Sequence, residues 1–190
     1  SRFSSIAGRY VYQDNKGLSE ARNTGSRHAR SEWILPLDSD DMLAENFIRA
    51  ALDSVQKTPD LDMVSGALQK FGTNETKWLL NEYIPLRAHL RNQLFYCCLY
   101  RKSLWEKVGG YDQSHPWCLE DWHFSLKCQA AGWNVCLIHH PMLHYRTHDS
   151  GSLFQEMSKR WIVSNALHQT MLPRYYNLTM ILMAHQTIQQ

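Results

Sequence analysis

Trp33-Ile34-Leu35-Pro36-Leu37-Asp38-Ser39-Asp40-Asp41 is the stretch whose reading decides the fold. An apolar run delivers three carboxylates within four positions, Asp38, Asp40 and Asp41. A short apolar run bounded by a turn reads as a buried strand. Asp is a poor strand residue, so the strand ends at Leu37 and the carboxylates sit on the loop beyond its carboxyl end. In open α/β sheets that edge is where ligands bind. Like charges packed together repel unless a cation or hydrogen-bond donors hold them. A plainer reading is an Asp-rich turn, with Asp41 as N-cap of a helix that starts near Leu43. Asp-x-Asp-Asp directly after an apolar strand favours the ligand site.

Working outward, residues 9–13 (Tyr10, Val11, Tyr12) predict a strand, 14–17 a turn, and 20–30 a helix with Ser19 as N-cap. Strand, helix, strand in close succession is a βαβ unit with a parallel sheet. Downstream, Phe47, Ile48, Ala51, Leu52 and Val55 recur at helical spacing over 44–57, and Pro59 ends that helix. Residues 63–71 read as a strand. The middle, 72–93, is harder, with a strand at 78–80 and a short helix at 85–91. Residues 94–100 read as a buried strand, and 104–108 as a helix capped by Ser103 and stopped by Gly109-Gly110. A helix over 119–131 closes at Gly132. Strands follow at 133–138 and 142–146, with His139 and His140 as loop residues before Pro141. The expected fold class is α/β: a mixed, mainly parallel sheet flanked by helices. It divides into a domain at 1–153 and a helical extension at 154–190, broken at Pro173.

The chain has 190 residues, enough for one domain with a substantial core. Hydrophobic content of 44% and charged content of 20% argue against disorder. A net charge of +2 carries no polyanion signature, so nucleic acid is not an expected partner. Seven Trp and nine Tyr are many for this size; they can serve a core, and an excess also suits a sugar-binding cleft. The five Cys are odd in number, and Cys97 and Cys98 are adjacent with no C-x-x-C pair. This argues against a disulfide framework or a zinc site, and for a reducing, cytoplasmic setting. Asn74-Glu75-Thr76 and Asn177-Leu178-Thr179 are sequons short enough to arise by chance. No apolar run reaches membrane-spanning length, and no signal peptide is recognisable. The absence of an initiator Met, with a strand so soon after Ser1, suggests a chain that begins mid-domain.

Four constellations carry candidate chemistry. In Asn15-Lys16-Gly17-Leu18-Ser19-Glu20-Ala21-Arg22-Asn23, Gly17 gives a tight turn before a helix whose first N–H groups suit an anion. Arg22 adds a fork for phosphate or carboxylate, although the stretch also reads as an ordinary helix start. The acidic loop offers hard oxygen ligands that suit Mg²⁺ or Mn²⁺ rather than zinc. In Trp117-Cys118-Leu119-Glu120-Asp121-Trp122, two acids favour a helix start, and flanking Trp side chains desolvate them. Desolvation raises a carboxyl pKa and makes a useful general base. In His144-Tyr145-Arg146-Thr147-His148, a strand ends in a polar loop, and His148 is either a surface residue or a group reaching a metal or phosphate.

With these in order, the chain resembles the family 2 glycosyltransferases of the GT-A fold. The matching residues are N-x-G-x-x-x-A-R-N at Asn15 to Asn23, L-D-x-D-D at Leu37 to Asp41 and V-G-G-Y-D at Val108 to Asp112. They continue with L-E-D-W at Leu119 to Trp122 and Y-R-x-H at Tyr145 to His148. The resemblance implies transfer of a sugar from a nucleoside-diphosphate sugar, with a UDP-sugar the expected donor, to a hydroxyl of a glycan, lipid or protein acceptor. Asn15, Gly17, Arg22, Asn23, Asp38, Ser39 and Arg146 would bind the nucleotide-sugar. Asp40, with Asp38 and His148, would hold Mn²⁺ or Mg²⁺. Asp121 would be the general base, supported by Glu120, and Trp117 and Trp122 would meet the acceptor. A single base with no carboxylate nucleophile fits inversion of configuration.

One departure stands out. The family opens with a strand ending in a P-x-Y-N-like stretch, and a second strand with an Asp-Asp-Gly-Ser-like turn. Neither is present, so an amino-terminally truncated GT-A domain is expected. A sheet lacking those strands exposes an edge, a surface for a dimer. The tail, with Trp161, Ile162, Leu167, Met171 and Leu172, reads as a helix resting on the domain, a membrane surface or a partner. Trp78, Tyr83 and Trp117 are candidates for stacking on a sugar ring. The alternative reading is a non-catalytic carbohydrate- or protein-binding module on a decayed transferase scaffold. A metal-dependent hydrolase is disfavoured, because no H-E-x-x-H or H-x-H cluster accompanies the carboxylates.

Overall fold

The computed structural model describes residues 8–79, 82–114 and 119–148. Its elements are α1 (Leu18–His28), β1 (Trp33–Ile34), β2 (Met42–Leu43), α2 (Phe47–Lys57), β3 (Met63–Gly72) and β4 (Lys77–Trp78). After them come α3 (Pro85–Ala88), β5 (Leu99–Arg101), α4 (Lys102–Val108), α5 (Glu120–Ala130) and β6 (Val135–Thr147). The tail, Trp117 and Cys118 lie outside the described residues.

The sheet is mixed and flanked by helices, with strand order β1-β5-β3-β6-β2 and β4 also on β3. Its spine is the parallel pair β3 and β6, in register from Met63↔Val135 to Gly72↔Thr147. The four remaining pairings are antiparallel and short. On its other edge β3 takes β5 beside Met63 and Val64, and then β4 beside Leu68 and Gln69. Met63, Val64, Leu68, Met142 and Leu143 are buried in this spine and form one core with Phe47, Ala51, Leu104 and Phe124.

Several expectations need correction. The parallel βαβ unit does not form among the described residues. Residues 9–13 form no strand, and Tyr10 is 87% exposed, because no neighbouring strand takes up its backbone groups. The strand expected to run to Leu37 stops at Ile34 and pairs antiparallel with β5. Pro36 cannot donate to a ladder, which limits extension. The less favoured reading of Asp41 as a helix cap does not hold: Met42–Leu43 form β2 against β6, and α2 begins after Asn46. Residues 94–98 are buried but irregular, turning through Cys98 N–H to Tyr96 O at 3.1 Å, so only the last part of the expected strand joins the sheet.

The two strands expected around Pro141 are one, β6. Its register jumps from Gly66↔Ile138 to Ala67↔Pro141 and Leu68↔Leu143, so His139 and His140 bulge outward and are exposed. A bulge accommodates Pro within a strand. Gly66 fits there for lack of a side chain, since a Cβ would meet Met142 Sδ at 2.9 Å and Ile138 O at 3.0 Å.

Candidate active site

The acidic loop is held from inside. Asp41 is buried; its Oδ2 accepts the Tyr96 hydroxyl at 2.6 Å and its Oδ1 accepts the Arg146 backbone N–H at 2.7 Å. The same Tyr96 oxygen accepts the Asp38 backbone N–H at 3.1 Å. Burial raises the Asp41 pKa, with the hydrogen bonds from Tyr96 and Arg146 opposing. Thus Asp41 anchors the loop while Ser39 and Asp40 stand exposed on its turn.

Arg22 joins this loop to the candidate base. It leaves α1 on its buried face, and its guanidinium reaches both Asp38 oxygens at 3.3 Å and pairs with Glu120 at the start of α5. It also lies over the Tyr96 ring, 4.7 Å from the centroid. Burial alone would lower its pKa, but the Glu120 and Asp38 carboxylates reverse that and hold it fully charged. Its Nε is buried and makes no hydrogen bond.

Asp121, next to Glu120, has both oxygens oriented: Asn92 Nδ2 donates to Oδ2 at 3.0 Å and the Trp122 backbone N–H donates to Oδ1 at 2.8 Å. Burial, then repulsion from Glu120, pushes its pKa up to about 7, against the pull of Arg22. Such a carboxyl shares its proton with water at neutral pH, as a general base requires. Asp121 borders a water-sized interior cavity whose lining is mostly core, with Met63, Leu94, Phe95, Cys98 and Phe124. Leu119, before α5, is left-handed at φ 70, and this turn sets both acids on the first helical turn.

Other expected site residues take different places. Asn23 is buried and engaged within the fold. It donates to Tyr111 O at 2.8 Å and accepts from Tyr111 N–H at 2.8 Å and from Trp105 Nε1 at 3.2 Å, clamping the Gly110-Tyr111 turn. Gly17, at φ 85, caps α1 and donates to Asn15 Oδ1 at 3.1 Å, a local turn at the helix start. Trp122 is buried and its indole N–H donates to Ala88 O at 2.6 Å.

Arg146 and His148 sit over the acidic loop. Arg146 Nε donates to the Asp40 carbonyl at 3.0 Å and its guanidinium stacks on Phe71, 4.5 Å from the centroid. His148 Nε2 lies 3.0 Å from Asp40 Oδ2. Among the described residues no group of three His, Cys, Asp or Glu side chains is arranged to hold a metal ion. The Asp40–His148 contact is a hydrogen-bonded pair at the loop surface, and both side chains are types that bind divalent ions. Mg²⁺ and Mn²⁺ take few protein ligands and fill the rest with water and phosphate oxygens. The donor set therefore fits a substrate-assisted site.

Asn92 and Tyr96, which orient Asp121 and anchor the acidic loop, carry no sequence signal. Asn92 lies in the stretch that is hard to read and Tyr96 in an expected strand that turns irregular, and their partners are distant in the chain.

A family model described as Glycosyl transferase family 2 matches residues 5–116. The putative glycosyltransferase EpsH of Bacillus subtilis is 28% identical over 177 residues, 84% of this chain and 50% of that protein. The UDP-Gal:alpha-D-GlcNAc-diphosphoundecaprenol beta-1,3-galactosyltransferase of Escherichia coli is 25% identical over 132 residues, 66% of this chain and 47% of that protein. The chain spans about half the length of these curated relatives. In fold, it is similar to S. aureus TarS 1-349 in complex with UDP-GlcNAc, at a TM-score of 0.62 and 14% identity, covering 76% of this chain and 43% of that one. No helix among the described residues is long and apolar enough to cross a membrane.

Proposed function

Because the chain belongs to glycosyl transferase family 2, we propose that it transfers a sugar from a nucleoside-diphosphate sugar to an acceptor hydroxyl, with inversion and with help from a divalent metal. The observation that carries this reading is the Arg22 bridge. One buried guanidinium binds Asp38 on the acidic loop and Glu120 beside Asp121, so the donor end and the base end share a single cation.

Asp121 takes the proton from the acceptor hydroxyl as that oxygen attacks the anomeric carbon. Asn92 and the Trp122 N–H fix its two oxygens, and a site held this way keeps the reacting atoms in line. Burial, followed by Glu120, keeps Asp121 basic enough to act near neutral pH, and Arg22 limits that effect. Arg146, anchored on Asp40 and Phe71, supplies positive charge beside the donor phosphates. Asp40 and His148 would hold Mn²⁺ or Mg²⁺, which when bound neutralises charge on the departing nucleoside diphosphate. Asn15, Gly17 and Ser39 would line the donor pocket, while Asn23 holds the Gly110-Tyr111 turn from within the fold.

A uridine donor is supported by the relatives, since one is described as using UDP-Gal and TarS is described with UDP-GlcNAc and with UDP. The acceptor class proposed is a glycan or a lipid-linked sugar, the latter following the galactosyltransferase relative. The test is incubation of the protein with UDP-sugars, Mn²⁺ and a panel of sugar acceptors, reading UDP release. Release that needs both acceptor and metal supports the proposal. Binding of free glycan with no metal-dependent UDP binding by calorimetry would favour a non-catalytic module instead.

A further inference from the structure

The proposed base needs an acceptor held beside it, and the aromatic residues expected to hold a sugar ring separate clearly in the structure. Trp122 is buried with its indole N–H on Ala88 O. Tyr83 is half-buried, with its hydroxyl bonded to Gln129 and its ring edge-on to Trp133. Trp78 differs. It sits on β4, paired with Leu68 of β3, and is 42% exposed. Its ring meets Phe95 edge-to-face, with centroids 4.3 Å apart.

Phe95 links Trp78 to the reaction chemistry. It lies close to Asp121, the two lining one water-sized interior cavity, and its neighbour Tyr96 anchors Asp38 and Asp41. A large indole left open to solvent on a short strand gains no folding free energy from its open face. The edge-to-face contact with Phe95 holds the ring, so its exposed part is presented to a ligand at low entropy cost. The axial C–H face of a pyranose is a flat apolar surface of matching size.

We propose that Trp78 is the stacking platform for a sugar ring of the acceptor, seated so that a hydroxyl of that ring or its neighbour reaches Asp121. This rests on the transferase reading and adds the residue that seats the proposed carbohydrate acceptor. No proton or bond is moved by Trp78; it acts by placement alone.

The test is calorimetric titration of the wild-type protein, Trp78→Ala and Trp78→Phe with p-nitrophenyl β-glucoside, β-galactoside and β-N-acetylglucosaminide. Wild type is expected to bind at least one glycoside, Trp78→Ala to bind it roughly tenfold more weakly, and Trp78→Phe to retain most of the affinity. No glycoside binding by wild type, or equal binding by Trp78→Ala, overturns the platform. Thermal melts of both variants exclude unfolding as the cause. The transferase reading is judged separately, by UDP release from UDP-sugars with the wild-type protein. Glycoside binding through Trp78 without turnover sinks that reading alone, and turnover with binding indifferent to Trp78 sinks the platform alone.

Discussion

Replacing Arg22 by Met keeps most of the side-chain volume and removes the cation between Asp38 and Glu120. Arg22 is 6% exposed and Glu120 9%, so their pair is a buried one, whereas Asp38 at 35% is largely screened by water. Breaking a buried pair from one side leaves the other charge uncompensated and costs about 3–5 kcal/mol. The exposed half of the bridge adds less than about 1 kcal/mol. For a chain of this length, each kcal/mol lowers the melting temperature by about 2–4 °C, so a fall of about 6–20 °C is expected. The assay is thermal unfolding of wild type, Arg22→Met, Glu120→Gln and the double variant. Neutralising Glu120 in the Arg22→Met background removes the stranded carboxylate, and the double variant is expected to recover much of the loss. Arg22→Met melting within 2 °C of wild type, or a double variant no more stable than Arg22→Met, would refute the bridge as the joint between loop and helix.

Tyr96→Phe removes the hydroxyl that Asp41 and the Asp38 N–H share, leaving a buried carboxylate oxygen without its donor; a loss of about 1–3 kcal/mol in denaturant unfolding is expected. Gly110→Ala puts a Cβ 2.5 Å from Asn23 Oδ1 at a left-handed φ of 69°, so it should open the Asn23 clamp and lower the melting temperature measurably, whereas Gly25→Ala, with nothing within 4 Å, should not. Asp121 is raised from 3.8 to about 7 on folding, so the folded state binds more protons in that window and stability falls as pH rises from about 4 to about 7. Unfolding of Asp121→Asn across that range should lack this decline, and an identical pH slope in both proteins would count against the burial of Asp121.

Several features were legible in the sequence because they rest on local chemistry. Gly109 ends α4 in the left-handed conformation and Gly132 follows α5 at φ 76, both as turn residues. The helical spacing of Phe47 and Ala51 marked the buried face of α2. What failed depended on partners elsewhere in the chain. Tyr10, Val11 and Tyr12 have the composition of a strand but no strand beside them among the described residues, so composition alone misled. Pro141 looked like a break, yet the bulge opposite Gly66 and Ala67 carries it inside β6. The anchoring role of Asp41 is not legible in the sequence, because its partners, Tyr96 and Arg146, lie far along the chain. The motifs offered Asp38, Asp40, Glu120 and Asp121 as candidate site acids, and the structure ties Asp38 and Glu120 to one arginine, Arg22. Asn92 and Tyr96, which orient Asp121 and anchor the acidic loop, lie in a stretch whose conformation is set by packing and not by periodicity.

General-base catalysis by Asp121 is tested most directly by sugar transfer from a UDP-sugar to a glycoside acceptor with Asp121→Asn, with UDP binding measured on the same preparation. The amide keeps the shape and the Asn92 contact region but cannot accept the acceptor's proton. A fall in kcat of about 10²–10⁴-fold, with UDP affinity near that of wild type, is expected. Transfer by Asp121→Asn at close to the wild-type rate would contradict the assignment of the base.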